Sequence, residues 1–227
     1  MKKTLIIPLL LFTAAFLTAA DAAVLENLGF SPDGRYFMFG EHVLITGQGQ
    51  AYAEIGVVDI AKNEFVPGGW KKNSWAAGIT PNQNSRGALY ELLASSGDLK
   101  KRYKINHLEQ GKLLYARSSS DETGEEPALS FRDFQCKKDI TLTLHQETSS
   151  SAEAPSAGFY IDVTVKEPSG IEETYTVGRA GYMRSGISGY RIVRVWASPD
   201  GKALVIAVAK KSADLSIRYM VETLLIK

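Results

Sequence analysis

Hydrophobic and polar residues alternate most regularly in two central stretches of the chain. Ile140, Leu142 and Leu144 share one side of an extended backbone with Thr141, Thr143 and His145 opposite, and Phe159, Ile161, Val163 and Val165 alternate with Tyr160, Asp162 and Thr164. A period of two is that of a strand with one face in a core. Runs at 113–117, 128–134 and 173–178 read the same way, so the middle of the chain is predicted to be a series of strands separated by Ser- and Glu-rich exposed loops at 118–126 and 149–157. The N-terminal part adds a strand from Val24, then 35–40, 53–59 and a short one at 64–66; the C-terminal part adds 190–198, 203–210 and 216–227. Only one stretch changes period. Ala88, Leu89, Leu92 and Leu93 recur at helical spacing, with Asn84 or Ser85 able to cap the start and Gly97 to end it, and Asp98 opens a second short turn through Leu99 and Tyr103. This predicts one helical insertion near 83–104. Residues 67–75 fit neither period and are expected to form a loop that docks Trp70 and Trp75.

The breaks between strands are as informative as the strands. Ser31-Pro32-Asp33-Gly34 near one end recurs as Ser198-Pro199-Asp200-Gly201 near the other, each between apolar residues. Pro presets φ at the first central position, Asp can accept from its own backbone, and Gly takes the positive φ that other residues resist. Each predicts a tight hairpin. Together these signals give a mostly β fold, a single domain over 23–227 built of about a dozen strands in antiparallel meanders, blade-like at both ends as in a β-propeller. A β-sandwich is the alternative.

Charge and composition narrow the setting. Lys2 and Lys3 precede an apolar run over 5–17 and small residues over 18–23, the layout of a signal peptide spanning 1–22, with small-x-small sites for cleavage after Ala20 or Ala22. No other run is long enough for a bilayer, so no membrane span is expected after cleavage, and the chain is expected to be periplasmic or secreted. With 26 Lys and Arg against 25 Asp and Glu, near-neutrality argues against a nucleic-acid partner. The only cysteine, Cys136, cannot form an internal disulfide and is expected to be a buried or half-buried strand residue beside Phe134.

Catalytic signatures are near misses. His42, His107 and His145 lack metal-ligand spacing, so no metal or other cofactor is expected. Gly186-Ile187-Ser188-Gly189 has Tyr190 where a nucleophile elbow needs Gly, and Gly47-Gln48-Gly49 lacks the third Gly of a dinucleotide loop. The pairs Glu125-Glu126 and Glu172-Glu173 would point to opposite faces of a strand. One loop, 179–190, is richer than packing requires: its glycines fold tightly while Arg179, Tyr182, Arg184 and Tyr190 offer contact groups of the kind enriched in recognition surfaces. On that reading Arg184→Ala leaves the melting temperature nearly unchanged.

The turn Phe30-Ser31-Pro32-Asp33-Gly34 and its aromatic surroundings resemble the repeats of TolB-type periplasmic propellers. Leu28-Gly29-Phe30-Ser31-Pro32-Asp33-Gly34-Arg35-Tyr36-Phe37, followed by Gly47-Gln48-Gly49 and Tyr52-Ala53-Glu54-Ile55-Gly56-Val57-Val58-Asp59, resembles a bacterial family of predicted secreted proteins, domain of unknown function 2259. The resemblance covers 24 to about 110 best; it implies a location and a single domain, and no catalytic residues. The function expected is that of an exported, non-catalytic binding or scaffold protein that presents loops from a β frame to a protein or small-molecule partner in the cell envelope. The alternative is an envelope hydrolase whose catalytic residues lie far apart in sequence. A histidine and a carboxylate brought within hydrogen-bond reach in a pocket would favour the hydrolase; a concave surface of Tyr, Trp and Arg alone would favour binding.

Overall fold

The computed structural model describes residues 21–78, 80, 83–118, 128–149 and 155–226. Residues 1–20 of the expected signal peptide and the Glu125-Glu126 pair lie outside them. The fold is mostly β, with three antiparallel sheets and two helices.

The first sheet is an uninterrupted meander of β1 (Val24–Phe30), β2 (Tyr36–Ile45), β3 (Gln50–Asp59) and β4 (Glu64–Ala76), in that order. Helices α1 (Arg86–Ala94) and α2 (Gly97–Arg102) follow, then β5 (Lys112–Ala116). The second sheet runs β6 (Ala128–Asp133), β7 (Lys138–Thr148), β8 (Ser156–Lys166), with β9 (Glu172–Gly178) and the two-residue β10 (Arg184–Ser185) sharing the far edge of β8. In the third, β11 (Ile187–Ala197), β12 (Ala203–Ser212) and β13 (Ile217–Leu225) form a meander that recruits β5 as its fourth strand.

Alternation along β12 explains the stacking. Leu204, Ile206 and Val208 belong to the core shared with Ile140, Leu142, Phe159, Ile161 and Val163 of the second sheet. Ala203, Val205 and Ala207 face the other way and pack with Phe37, Phe39 and Val58 of the first. The third sheet is therefore the middle layer, buried on both sides, which is why β12 begins as an unbroken apolar run. The far face of the first sheet, with Met38, Ile55 and Val57, is covered by Leu89 and Leu92 of α1 and Leu99 of α2. Among the described residues the sheets form no closed barrel; they stack face to face.

The two Pro-Asp-Gly turns have the same hydrogen bonds. Gly34 N donates to Ser31 O (2.9 Å), Arg35 N to Asp33 Oδ1 (3.1 Å) and Tyr36 N to Ser31 Oγ (2.9 Å). Gly201 N, Lys202 N and Ala203 N donate to Ser198 O, Asp200 Oδ1 and Ser198 Oγ at 2.9, 3.1 and 3.0 Å. Gly34 and Gly201 have φ of +67° and +71°. The turns abut: a Cβ on Gly34 would lie 3.3 Å from Asp200 Oδ1.

Three expectations are corrected. Residues 67–75 are not a loop but most of β4, whose register with β3 slips between Gly56 and Val58, so that 66–69 bulge out and hide the alternation on either side. An edge strand tolerates Pro67 because its N–H is not needed. The strand expected from residue 190 starts at Ile187, so Tyr190 is a strand residue and not part of a loop. Cys136 is exposed, in the turn between β6 and β7, where Asp133 Oδ1 accepts from Gln135 N and Cys136 N and turns the chain outward.

Candidate functional site

The structure brings Arg179, Tyr182, Arg184 and Tyr190 together. Pairing of β10 with β8 sets Arg184 opposite Ala157, and its guanidinium lies over the rings of Tyr182 (4.8 Å), Phe159 (5.6 Å) and Tyr190 (5.7 Å). Arg184 Nη1 also donates to Tyr190 Oη (3.3 Å), and that hydroxyl donates to Ala157 O (3.2 Å). Arg179 covers Tyr182 at 5.6 Å. Tyr190 is buried, whereas Tyr182 is 47% exposed and Met183 is exposed beside it. The cluster is thus an internal clamp under an exposed Tyr-Met tip, and with three rings against Arg184 the substitution Arg184→Ala is expected to cost stability after all.

The second Pro-Asp-Gly turn, Pro199, Asp200 and Gly201, lines a cleft of about 420 Å³ with Gly111, Lys112 and Cys136. Lys112 and Asp200, which line it, are already paired. Lys112 Nζ bonds both Asp133 Oδ1 and Gln135 Oε1. Burial pushes Asp200 up, but the Ser198 hydroxyl and Lys202 N–H outweigh it and leave the carboxyl below its usual range. The first turn, Pro32, Asp33 and Gly34, uses Asp33 likewise: the Ser31 hydroxyl and then Arg35 N–H hold it below the usual range. These aspartates hold turns and have no free lone pair on the oxygen that does so.

A different cleft, of about 470 Å³, lies where the start of α1 meets β1 and β2, and it collects chemistry. His42 of β2 is 2% exposed, with Nδ1 2.7 Å from Ser85 Oγ. Its Nε2 makes no hydrogen bond among the described residues and stands 3.5 Å from Glu26 Oε1 of β1. Arg86 grips the same oxygen through Nε (3.1 Å) and Nη2 (2.7 Å). Local folding fixes each partner: Gly40 pairs with Glu26 and Val24 with His42, so Glu26 and His42 lie diagonally across the β1–β2 ladder. Asn84 Oδ1 accepts Arg86 N–H (2.7 Å) and turns the chain into α1, setting Ser85 against the sheet. Burial depresses the His42 pKa, more than the neighbouring Glu26 carboxylate raises it. His42, Ser85 and Arg86 all line the cleft, with Val24, Val43 and Leu44 supplying an apolar wall.

A family model for predicted secreted proteins, DUF2259, matches residues 38–224. The chain belongs to the DUF2259 family. The matched span takes in His42, Ser85, Arg86, the Arg184 clamp and the second Pro-Asp-Gly turn; Glu26 and the first turn precede it. A search of curated proteins found no match. No helix among the described residues of this DUF2259 protein is long and apolar enough to cross a membrane, and they hold no group of three or more His, Cys, Asp or Glu that could ligate a metal.

Nothing in the spacing of Glu26, His42 and Ser85 announces their meeting. The other two histidines do not join them: His107 Nδ1 contacts Leu28 O and His145 Nε2 lies 3.0 Å from Asp162 on another sheet.

Proposed function

We propose that this DUF2259 protein is exported by its N-terminal leader and acts outside the cytoplasm as a binding protein that takes a small ligand into the cleft in front of α1. The observation that carries this reading is the buried His42, its Nε2 without a hydrogen bond, beside Ser85 in a cavity of a size that suits a small molecule. The walls favour a ligand with an apolar body and one polar head: Val24, Val43 and Leu44 receive the first, and Ser85, His42 and Arg86 the second. Isotope-labelled mature protein titrated with short-chain amides is expected to show amide shifts concentrated at 42–46 and 83–87. Shifts confined to other regions, or none, overturn the assignment.

The Tyr182-Met183 tip supports a second role, docking of a protein partner. Its favouring observation is the clamp beneath it: Arg184 holds the tip in place before any partner arrives, so little order remains to be imposed on binding. Crosslinking in intact cells with a photoreactive residue at position 182 is expected to capture a discrete product, and the same label at Tyr90, on the exposed face of α1, is expected not to.

A further inference from the structure

We infer that the cleft in front of α1 is an acyl-transfer site, with Ser85 as nucleophile and His42 as its base, acting on small carboxylic esters. The inference rests on the assignment of this cleft as the ligand site, and four observations carry it further. Ser85 Oγ and His42 Nδ1 are 2.7 Å apart, the separation needed to pass a proton. The other ring nitrogen faces a carboxylate, Glu26 Oε1 at 3.5 Å, which itself is pinned by two bonds from Arg86. A proton on Nε2 would sit on the Glu26 side of the ring and leave Nδ1 as the acceptor, and that carboxylate, 3.5 Å away, would stabilise the imidazolium formed during reaction. The order of ring nitrogens is the reverse of the serine protease triad, but the roles are the same. Both reacting groups line a cleft with an apolar wall. Finally, Gly87 sits in the first turn of α1, where the helix offers its N–H no carbonyl, and a Cβ there would meet nothing within 4 Å. An oxyanion next to Ser85 would lie at the positive, N-terminal end of α1, where the first N–H groups have no helical carbonyl to bond.

The chemistry balances. Ser85 Oγ bonds to the ester carbonyl carbon as its proton moves to Nδ1, and the carbonyl π pair passes to oxygen. Collapse of the tetrahedral adduct breaks the bond to the alcohol oxygen, which leaves with the proton from Nδ1. Water then attacks acyl-Ser85 with His42 again as base, releasing the carboxylic acid and restoring the hydroxyl. Burial lowers the His42 pKa, which favours the unprotonated form that a base needs. Glu26 and Arg86 touch no reacting atom and are positioning residues.

The test is reaction of the intact mature chain with an alkyl fluorophosphonate, read by intact mass and peptide mapping, alongside hydrolysis of p-nitrophenyl butyrate. A single phosphonyl adduct on Ser85 is expected, with ester hydrolysis lost in Ser85→Ala, reduced about 10²-fold or more in His42→Asn, and unaltered in Ser188→Ala. Glu26→Gln should slow hydrolysis and shift its pH profile, with Glu26→Asp recovering part of both. An adduct on any other serine, or hydrolysis that survives Ser85→Ala, overturns the inference. Mapping the wild-type adduct requires no variant to fold. If the protein is unlabelled yet N-butylbutyramide shifts the amides at 42–46 and 83–87, the catalytic inference fails and the ligand site stands; if neither occurs, both fail.

Discussion

Glu41 shows what one buried charge does to this molecule. It lies on β2 with no exposed surface, Oε2 accepting from Tyr219 N (2.6 Å), Oε1 without a hydrogen bond, and Arg218 Nε at 3.7 Å. Burial, and then the charge of Glu54 across the ladder, raise its pKa to about 8 against the pull of Tyr219 N–H, Arg218 and Lys210. The folded state thus binds a proton that the unfolded chain releases near 4.5, so this contribution to stability is complete below that pH and is lost as pH climbs toward 8. The neighbouring His42, whose pKa is depressed, acts in the opposite sense and costs stability as pH falls below its ordinary value of 6.5. Glu41→Gln is expected to raise the denaturation midpoint at pH 8 and to flatten its decline between pH 5 and 8; urea titrations at several pH values check it. Arg184→Ala is expected to lower stability by about 1–2 kcal/mol through the lost ring contacts, measured by thermal melts, with Arg184→Lys recovering little because a compact ammonium cannot cover three rings. Neither the buried carboxylate nor the cleft was legible in the sequence. A strand ending at residue 40 leaves Glu41 and His42 in a loop, because a polar pair after Gly40 has the pattern of a surface turn, and only packing reveals that β2 runs on to Ile45.

At the level of elements, regular alternation was a dependable guide and bulges were not. β7 and β8 fall within a few residues of their expected limits because every second side chain enters one core, and α1 was legible from Ala88, Leu89 and Leu92. β4 was lost where 66–69 step out of register. The recruitment of β5 into the third sheet was also out of reach, since pairing between residues 112–116 and 194–197 leaves no mark on either segment alone. The chain start offers a prediction of its own. Asp21 Oδ1 receives Thr46 N (3.3 Å) and Oγ1 (3.0 Å), Asp21 O accepts from Ile217 N (3.1 Å) and Arg218 Nη1 (3.2 Å), and Ala22 bridges to Ile217. Cleavage after Ala20 keeps these bonds and cleavage after Ala22 discards them. On the proposed export, the mature chain is expected to begin at Asp21, which N-terminal sequencing determines, and a start at Ala23 refutes.

Across the whole molecule, the third sheet is the common wall of two cores, so damage to it reaches both. Ile206→Ala is expected to cost about 2–5 kcal/mol, and amides of β12 should be the slowest to exchange with deuterium, ahead of those in the edge strand β4. Exchange read by mass spectrometry on peptides covering 203–212 and 64–76 decides between this ordering and its reverse. The wall is assembled from residues 112–116 and 187–225, most of it from the last part of the chain to be synthesised. Because the two outer layers share the third sheet as their support, neither core is expected to be complete before the last strands of the chain are made.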